Sequence, residues 1–284
     1  MRLLILDFDG TMTDAEAEGA PFRDGYLEDL AVLADLPLAE VAALAARYEA
    51  EVAAESHAHG WLYNGHIVAP AGVDPYLRMM PVARKILDAA GAFGSERERS
   101  RLLDGILYKY NYQKTRTVFR EGAGDFLRTM GRREDVVTCV VTNSHTEPVQ
   151  GKIRQLDADG GGVAWLLPQV HGRARKYVLD DGFDAVPEAL DVPGLSRPVL
   201  LRRRAYFEVL DGLRQRHGLQ WSDVAVCGDI FELDLSLPLA LGASVALIRN
   251  RHTPAYEQDY LRSQARGAVL DRLTEVPGWL DATR

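Results

Sequence analysis

Asp7 and Asp9 stand two positions apart in the segment DFDGT, directly after the apolar run Arg2 to Leu6. In an extended segment, residues two apart leave on the same side, so the two carboxylates would sit together, and Gly10 permits a sharp turn after them. Paired carboxylates repel unless a cation lies between them. With no His or Cys nearby, the hard oxygen donors point to Mg²⁺, which keeps several waters and takes one or two carboxylates together with phosphate oxygen. Two later apolar runs also stop at polar residues. Val136 to Val141 ends in Thr142-Asn143-Ser144, and Val224 to Cys227 ends in Gly228-Asp229, with Asp234 five residues further on. Asp229 is the natural third contributor to a metal site, and Asp234 would hold the metal's water or orient Asp229. Ser144, Thr146 and Pro148 are helix-start residues, so Thr142 and the N–H groups after it would form a helix terminus suited to a phosphate. Asn143 would contact the ligand or cap that helix.

Residues from three separate runs converge only if the runs are neighbouring parallel strands, whose carboxyl ends open onto one crevice. The sequence supports this. Continuous apolar runs read as buried parallel strands, and a further one spans Ser244 to Ile248. Between them, Gly124 to Arg132 and Ala205 to His217 carry apolar residues on one helical side. Strands alternating with helices predict an α/β fold, a Rossmann-like three-layer parallel sheet. From Ala15 to Thr115 helical spacing takes over, as in Leu38, Val41, Ala45, Tyr48 and Val52, and again from Ser95 to Tyr112 behind a possible Ser95/Glu98 capping box. A block this long exceeds a crossover helix. The expected organisation is a catalytic core of 1–14 and 116–284 with an inserted all-helical cap domain of 15–115. One stretch in the cap, His57, His59, Trp61, Tyr63 and His66, looks unlike an ordinary helix and is either a recognition loop or structural.

DFDGT at Asp7 to Thr11, VVTNS around Thr142 and GDIFELD from Gly228 to Asp234 resemble, in order and strand context, the first, second and fourth motifs of haloacid dehalogenase superfamily hydrolases. The resemblance covers the core, and the insertion looks like that family's helical cap. It implies that Asp7 is a nucleophile and that Asp9 is the general acid and base of the phosphatase branch, a residue the dehalogenase branch lacks. It also implies Mg²⁺ held by the Asp7 carboxylate, the Asp9 backbone carbonyl and Asp229, and an aspartyl-phosphate intermediate. The family's third motif, a basic residue beside the phosphate, departs from its common pattern here. Lys176 in HGRARKYVLDD is the first candidate, because lysine's compact charge is usual in that role. Arg202, Arg203 and Arg204 compete with it, Arg203 and Arg204 as substrate-binding residues.

Composition narrows the partners. The chain has 284 residues, 47% of them hydrophobic, enough for one sizeable core or two smaller ones. Its 33 Lys and Arg against 41 Asp and Glu leave a net charge of −8, which gives no general attraction to nucleic acid or anionic membrane. The run Leu3 to Leu6 is too short for a signal sequence and no stretch reaches membrane-spanning length, so the expected location is the cytoplasm. Cys139 and Cys227 lie inside apolar runs and read as reduced core residues. The expected partner is a small phosphate ester, hydrolysed by a magnesium-dependent phosphatase. A phosphomutase, or a binding module on the same fold, is the alternative; the oligomeric state is not legible.

Overall fold

The computed structural model describes residues 1–283. Its contacts divide the chain into two compact units, Met1–Asp14 with Phe119 onward, and Ala15–Val118.

The first unit opens with strand β1 (Arg2–Leu6), buried along its whole length. The second unit then follows in sequence. Its helices α1 (Ala15–Ala34) and α2 (Leu38–Ala54) are succeeded by strands β2 (Gly60–Tyr63) and β3 (His66–Pro70), then α3 (Pro75–Ala89), α4 (Glu96–Leu102) and α5 (Tyr108–Tyr112). Phe22, Tyr26 and Leu30 of α1, Val41, Ala45 and Val52 of α2, and Met79, Val82 and Ile86 of α3 recur every three or four residues and pack into one apolar cluster. Asp74 caps α3 by accepting from the N–H groups of Tyr76 at 2.8 Å and Leu77 at 3.0 Å, with Pro75 at the first helical position. Ser95 caps α4 through the N–H of Glu98. The helix expected from Ser95 to Tyr112 is present, with a π-turn inside it at Leu103–Leu107.

The expectation of an all-helical insertion is corrected by β2 and β3, which form an antiparallel hairpin. Asn64 and Gly65 take φ of 49° and 81°, the two left-handed residues of a tight turn whose twist suits paired strands. The hairpin also absorbs the unusual His/Trp/Tyr stretch. His59 pairs with Glu55 at 3.1 Å, and His59 and Trp61 line a pocket of about 750 Å³ with Tyr76, Met80 and Tyr108.

The first unit resumes with α6 (Ala123–Gly131), β4 (Val136–Val141), α7 (Thr146–Leu156), β5 (Val170–His171), the short pair β6 (Ala189–Leu190) and β7 (Val199–Leu200), and α8 (Arg204–Arg216). It continues through β8 (Val224–Gly228), α9 (Ser236–Ala240), β9 (Ser244–Ile248), α10 (Ala255–Ser263), β10 (Gly267–Leu270) and α11 (Val276–Ala282). Six strands form one sheet in the order β10-β9-β8-β1-β4-β5, and every pairing in it is parallel. Side chains alternate across it. Leu3, Ile5, Cys139 and Val226 join one apolar layer with Tyr206 and Leu210 of α8; Leu4, Leu6, Val140 and Cys227 join the other with Phe126 of α6 and Ile153 of α7. Helices thus cover both faces, which explains why the strands read as continuous apolar runs. Both cysteines are free and buried. No helix among the described residues is long and apolar enough to cross a membrane.

Candidate active site

β1 is central, and Leu6 lies level with Val140 of β4 and Cys227 of β8. The residues just beyond these levels, Asp7, Thr142 and Asp229, therefore emerge at one edge of the sheet. The chain leaves β1 to reach β4 on one side and later β8 on the other, the reversal that opens a crevice in such sheets. Two glycines allow the close approach. A Cβ at Gly10, whose φ is +85°, would lie 2.2 Å from Asp229 Oδ2, and one at Gly228 would lie 2.3 Å from the Asp234 Cβ.

Asp7, Asp229 and Asp234 are all buried and bring carboxylate oxygens within 4.8 Å of one another. Lys176 enters this group, its Nζ 2.6 Å from Asp7 Oδ1 and 2.8 Å from Asp234 Oδ1. The ammonium is 1% exposed, which would be untenable without such partners. Burial lowers its pKa, and the Asp234 and Asp7 charges more than offset that, so its pKa stands above the ordinary lysine range. One lysine cannot neutralise every carboxylate around it. Burial, opposed by Lys176 and reinforced by Asp234, pushes Asp7 up to about 7.

Thr11 exposes the remaining imbalance. Its hydroxyl lies 3.1 Å from Asp7 Oδ2 and 3.1 Å from Asp229 Oδ1, yet it carries a single proton and can donate to only one at a time. The close buried oxygens of Asp7, Asp229 and Asp234 are hard donors that fit a hard cation. Asp234 is differently employed, because Oδ1 accepts from Lys176 and Oδ2 from the Ile230 N–H at 3.1 Å. Asp234 stays within the acidic group expected to hold a metal, and in this arrangement it also orients Lys176 and the loop after Asp229.

Lys176 reaches the site on a loop laced to the end of β4. Thr142 N–H donates to the His171 carbonyl, Arg173 N–H to Ser144 and Ala174 N–H to Thr142, at 2.8 to 3.0 Å. Arg173 and Arg175 take left-handed φ of 56° and 51°, an uncommon conformation for residues with a side chain and one found at functional sites. Asn143, expected against the ligand or as a helix cap, instead accepts from the Lys176 N–H at 2.8 Å. Thr142 is buried, and its Oγ1 accepts from the Ser144 N–H just ahead of α7.

Within the arginine run, the expected substrate role of Arg203 is corrected. Arg203 is fully buried and donates to the carbonyls of Leu200 and Lys176, so it supports the lysine loop and has no surface for substrate. Arg204 is tied to Asp180 and the Gly182 carbonyl, and Arg202 to the Asp181 carbonyl. Among the described residues Lys176 donates to Asp7, and none of the three arginines does.

Asp9 points into a different environment. Its Oδ2 accepts from Ser144 Oγ at 2.6 Å and its Oδ1 from Lys152 Nζ at 2.9 Å, and its side chain is 38% exposed. Sequence reasoning gave Thr11 and Lys152 no role and read Ser144 only as a helix-start residue. Thr11 and Ser144 lie inside the DFDGT and TNS segments and could have been read there; Lys152, in mid-helix, carried no signal.

No family model and no curated protein matches this sequence. Solved structures do resemble it. A predicted phosphoglycolate phosphatase from Haemophilus somnus superposes with a TM-score of 0.54 at 14% identity, covering 98% of this chain and 97% of that one. A conserved haloacid dehalogenase-like protein of unknown function from Agrobacterium tumefaciens gives 0.54 at 14%, covering 99% and 98%. A magnesium-bound HAD-hydrolase from Bacillus subtilis gives 0.52 at 15%, covering 99% and 98%. The chain therefore has the fold of the haloacid dehalogenase-like hydrolases.

Proposed function

We propose that this protein is a magnesium-dependent phosphatase that hydrolyses a small phosphomonoester through an aspartyl-phosphate on Asp7. The observation that carries the reading is the contrast between two carboxylates two residues apart. Asp7 is buried and pinned by Lys176, while Asp9 is half-exposed and held by Ser144 and Lys152. Two carboxyl groups in unlike surroundings suit two different roles in one reaction.

In this reading the Asp7 carboxylate attacks phosphorus as the bond from phosphorus to the ester oxygen breaks, and Asp9 gives its proton to the departing oxygen. Asp9 then takes a proton from water as the water oxygen attacks the same phosphorus. The bond to Asp7 breaks, inorganic phosphate leaves and the Asp7 carboxylate is restored. Lys176 steadies Asp7 and offers positive charge to the phosphoryl oxygens, and the start of α7 offers N–H groups. Bound Mg²⁺, held by Asp7, Asp229 and the Asp9 backbone carbonyl, would supply charge neutralisation at the phosphoryl group.

The test is phosphate release from a panel of sugar phosphates, nucleotides and small alkyl phosphates, with Mg²⁺ and with chelator. Turnover of at least one ester, lost on chelation, is expected. No hydrolysis above background across the panel sinks the reading.

A further inference from the structure

Lys152 lies in α7 and is not part of the Asp7, Asp229 and Asp234 group, yet its ammonium reaches Asp9 Oδ1 at 2.9 Å and lies 5.8 Å from the centre of the Phe8 ring. Ser144, just ahead of the same helix, reaches the other oxygen at 2.6 Å. Both oxygens of one half-exposed carboxylate are thus held by donors in α7 and just ahead of it. We infer that Lys152 is a positioning residue for Asp9: with Ser144 it fixes the carboxylate plane from which the proton is given and taken.

An ion pair as exposed as this one, with side chains 24% and 38% accessible, contributes at most about 1 kcal/mol to stability. Structural support is therefore a poor account of it. Orientation is a better one, because Asp9 stands on a turn beside Gly10 and, without its two donors, would rotate about its side-chain torsions. Proton transfer needs hydrogen-bond reach of the reacting oxygen. A displacement of about 1 Å in a positioned group costs on the order of a hundredfold in rate. The Ser144 contact is the shorter, but a hydroxyl alone fixes one oxygen and leaves the plane free to turn. Lys152 supplies the second point.

The inference rests on the phosphatase reading for its kinetic consequence but not for its geometric one, and the experiment uses both. Lys152→Met and Lys152→Arg are assayed with p-nitrophenyl phosphate and Mg²⁺, and wild type and Lys152→Met are crystallised. The Met variant is expected to lose about 10-fold to 100-fold in kcat. Its KM should stay within about twofold, because the lost interaction acts on the chemical step. Lys152→Arg should recover much of kcat. In the crystals, the Asp9 carboxylate is expected in one orientation in wild type and in several in Lys152→Met. A raised KM with kcat retained would make Lys152 a substrate contact, and unchanged kinetics would make the pair idle; either overturns the inference. An Asp9 side chain equally ordered in both crystals overturns it even if no ester is hydrolysed, an outcome that would count separately against the phosphatase reading.

Discussion

Two buried ionic clusters lie a few residues apart in the same unit and are built on opposite principles. In the first, Asp7, Asp229 and Asp234 surround the single ammonium of Lys176. In the second, Glu232 is fully buried and saturated: Arg197 meets its two oxygens at 2.7 Å each, and the Tyr256 hydroxyl adds a third donor at 3.2 Å. The second cluster also holds an extra carboxyl, Glu257, fully buried. Its Oε2 accepts from the Phe231 N–H at 3.5 Å, and its Oε1 has no hydrogen-bond partner among the described residues. Burial, then the charge of Glu232, raises its pKa well above the usual carboxylate value. In the second cluster the surplus carboxyl is pushed towards its protonated form; in the first, the acidic groups gather around one ammonium, and the Thr11 hydroxyl lies between Asp7 and Asp229. The two clusters thus differ in how their acid is matched: three carboxylates around one lysine in the first, one carboxylate met by both nitrogens of an arginine in the second.

The sharpest way to break this contrast is Asp7→Asn. It should lower kcat by at least about 10⁴-fold, as loss of a nucleophile does, while the thermal midpoint is held. Retained turnover would place the nucleophile elsewhere.

Next in size is Arg197→Met in the closed cluster. Removing one partner of a buried pair leaves an uncompensated charge, and the expected loss is about 3–5 kcal/mol of stability by urea unfolding. The kcat of the folded fraction should be unchanged. A large kcat loss at full stability would show that the two clusters act as one.

Third, a proton competes with the cation at Asp7 below the pH at which that carboxyl ionises, about 7. Apparent Mg²⁺ affinity should therefore tighten from pH 6 towards pH 7 and level off above it, with proton release on binding near pH 6.5. Calorimetry in buffers of different ionisation enthalpy measures both. An affinity independent of pH over this range would remove Asp7 from the cation site.

The smallest effect is expected at Glu257→Gln, which keeps the shape and removes the titration. A carboxyl raised above its unfolded value of 4.5 binds more protons folded than unfolded, so wild-type stability falls as pH rises from that value through the raised pKa. The variant lacks this slope. Its stability relative to wild type should improve as pH rises, by about 1 kcal/mol or less at pH 8. A difference that stays flat with pH would mean that Glu257 is ionised in the fold.

The contrast also explains what could be read from the sequence. Asp7, Thr142 and Asp229 were legible because each ends an apolar run, and a parallel sheet gathers such ends. Lys176 was legible only as one candidate among several, because its loop is placed by left-handed Arg173 and Arg175 and by the Asn143 side chain, none of which periodicity encodes. The arginine run looked like a rival to Lys176 or a substrate grip, since nothing local shows that the carbonyls of Leu200 and Lys176 lie in the interior and need donors. The hairpin of the inserted unit did leave a signal, Asn64-Gly65. It was outweighed by the helical spacing on both sides. Lys152 left none, because its partner Asp9 is remote in sequence.

The placement of β1 has a consequence for how the molecule assembles. The strand that ends at Asp7 pairs with residues 136–140 on one flank and 224–227 on the other, so both of its ladders close long loops. Contacts so distant along the chain carry the largest loop-closure entropy and form late. The segment Ala15–Val118 closes long loops of its own, with Asn111 meeting Asp29 and the Val118 N–H meeting Glu18, but none spans as much chain as the pairing of β1 with β8. The crevice thus depends on the most widely separated pairings of the six-stranded sheet, since Asp7 and Asp229 meet only when β1 has closed the loop to β8.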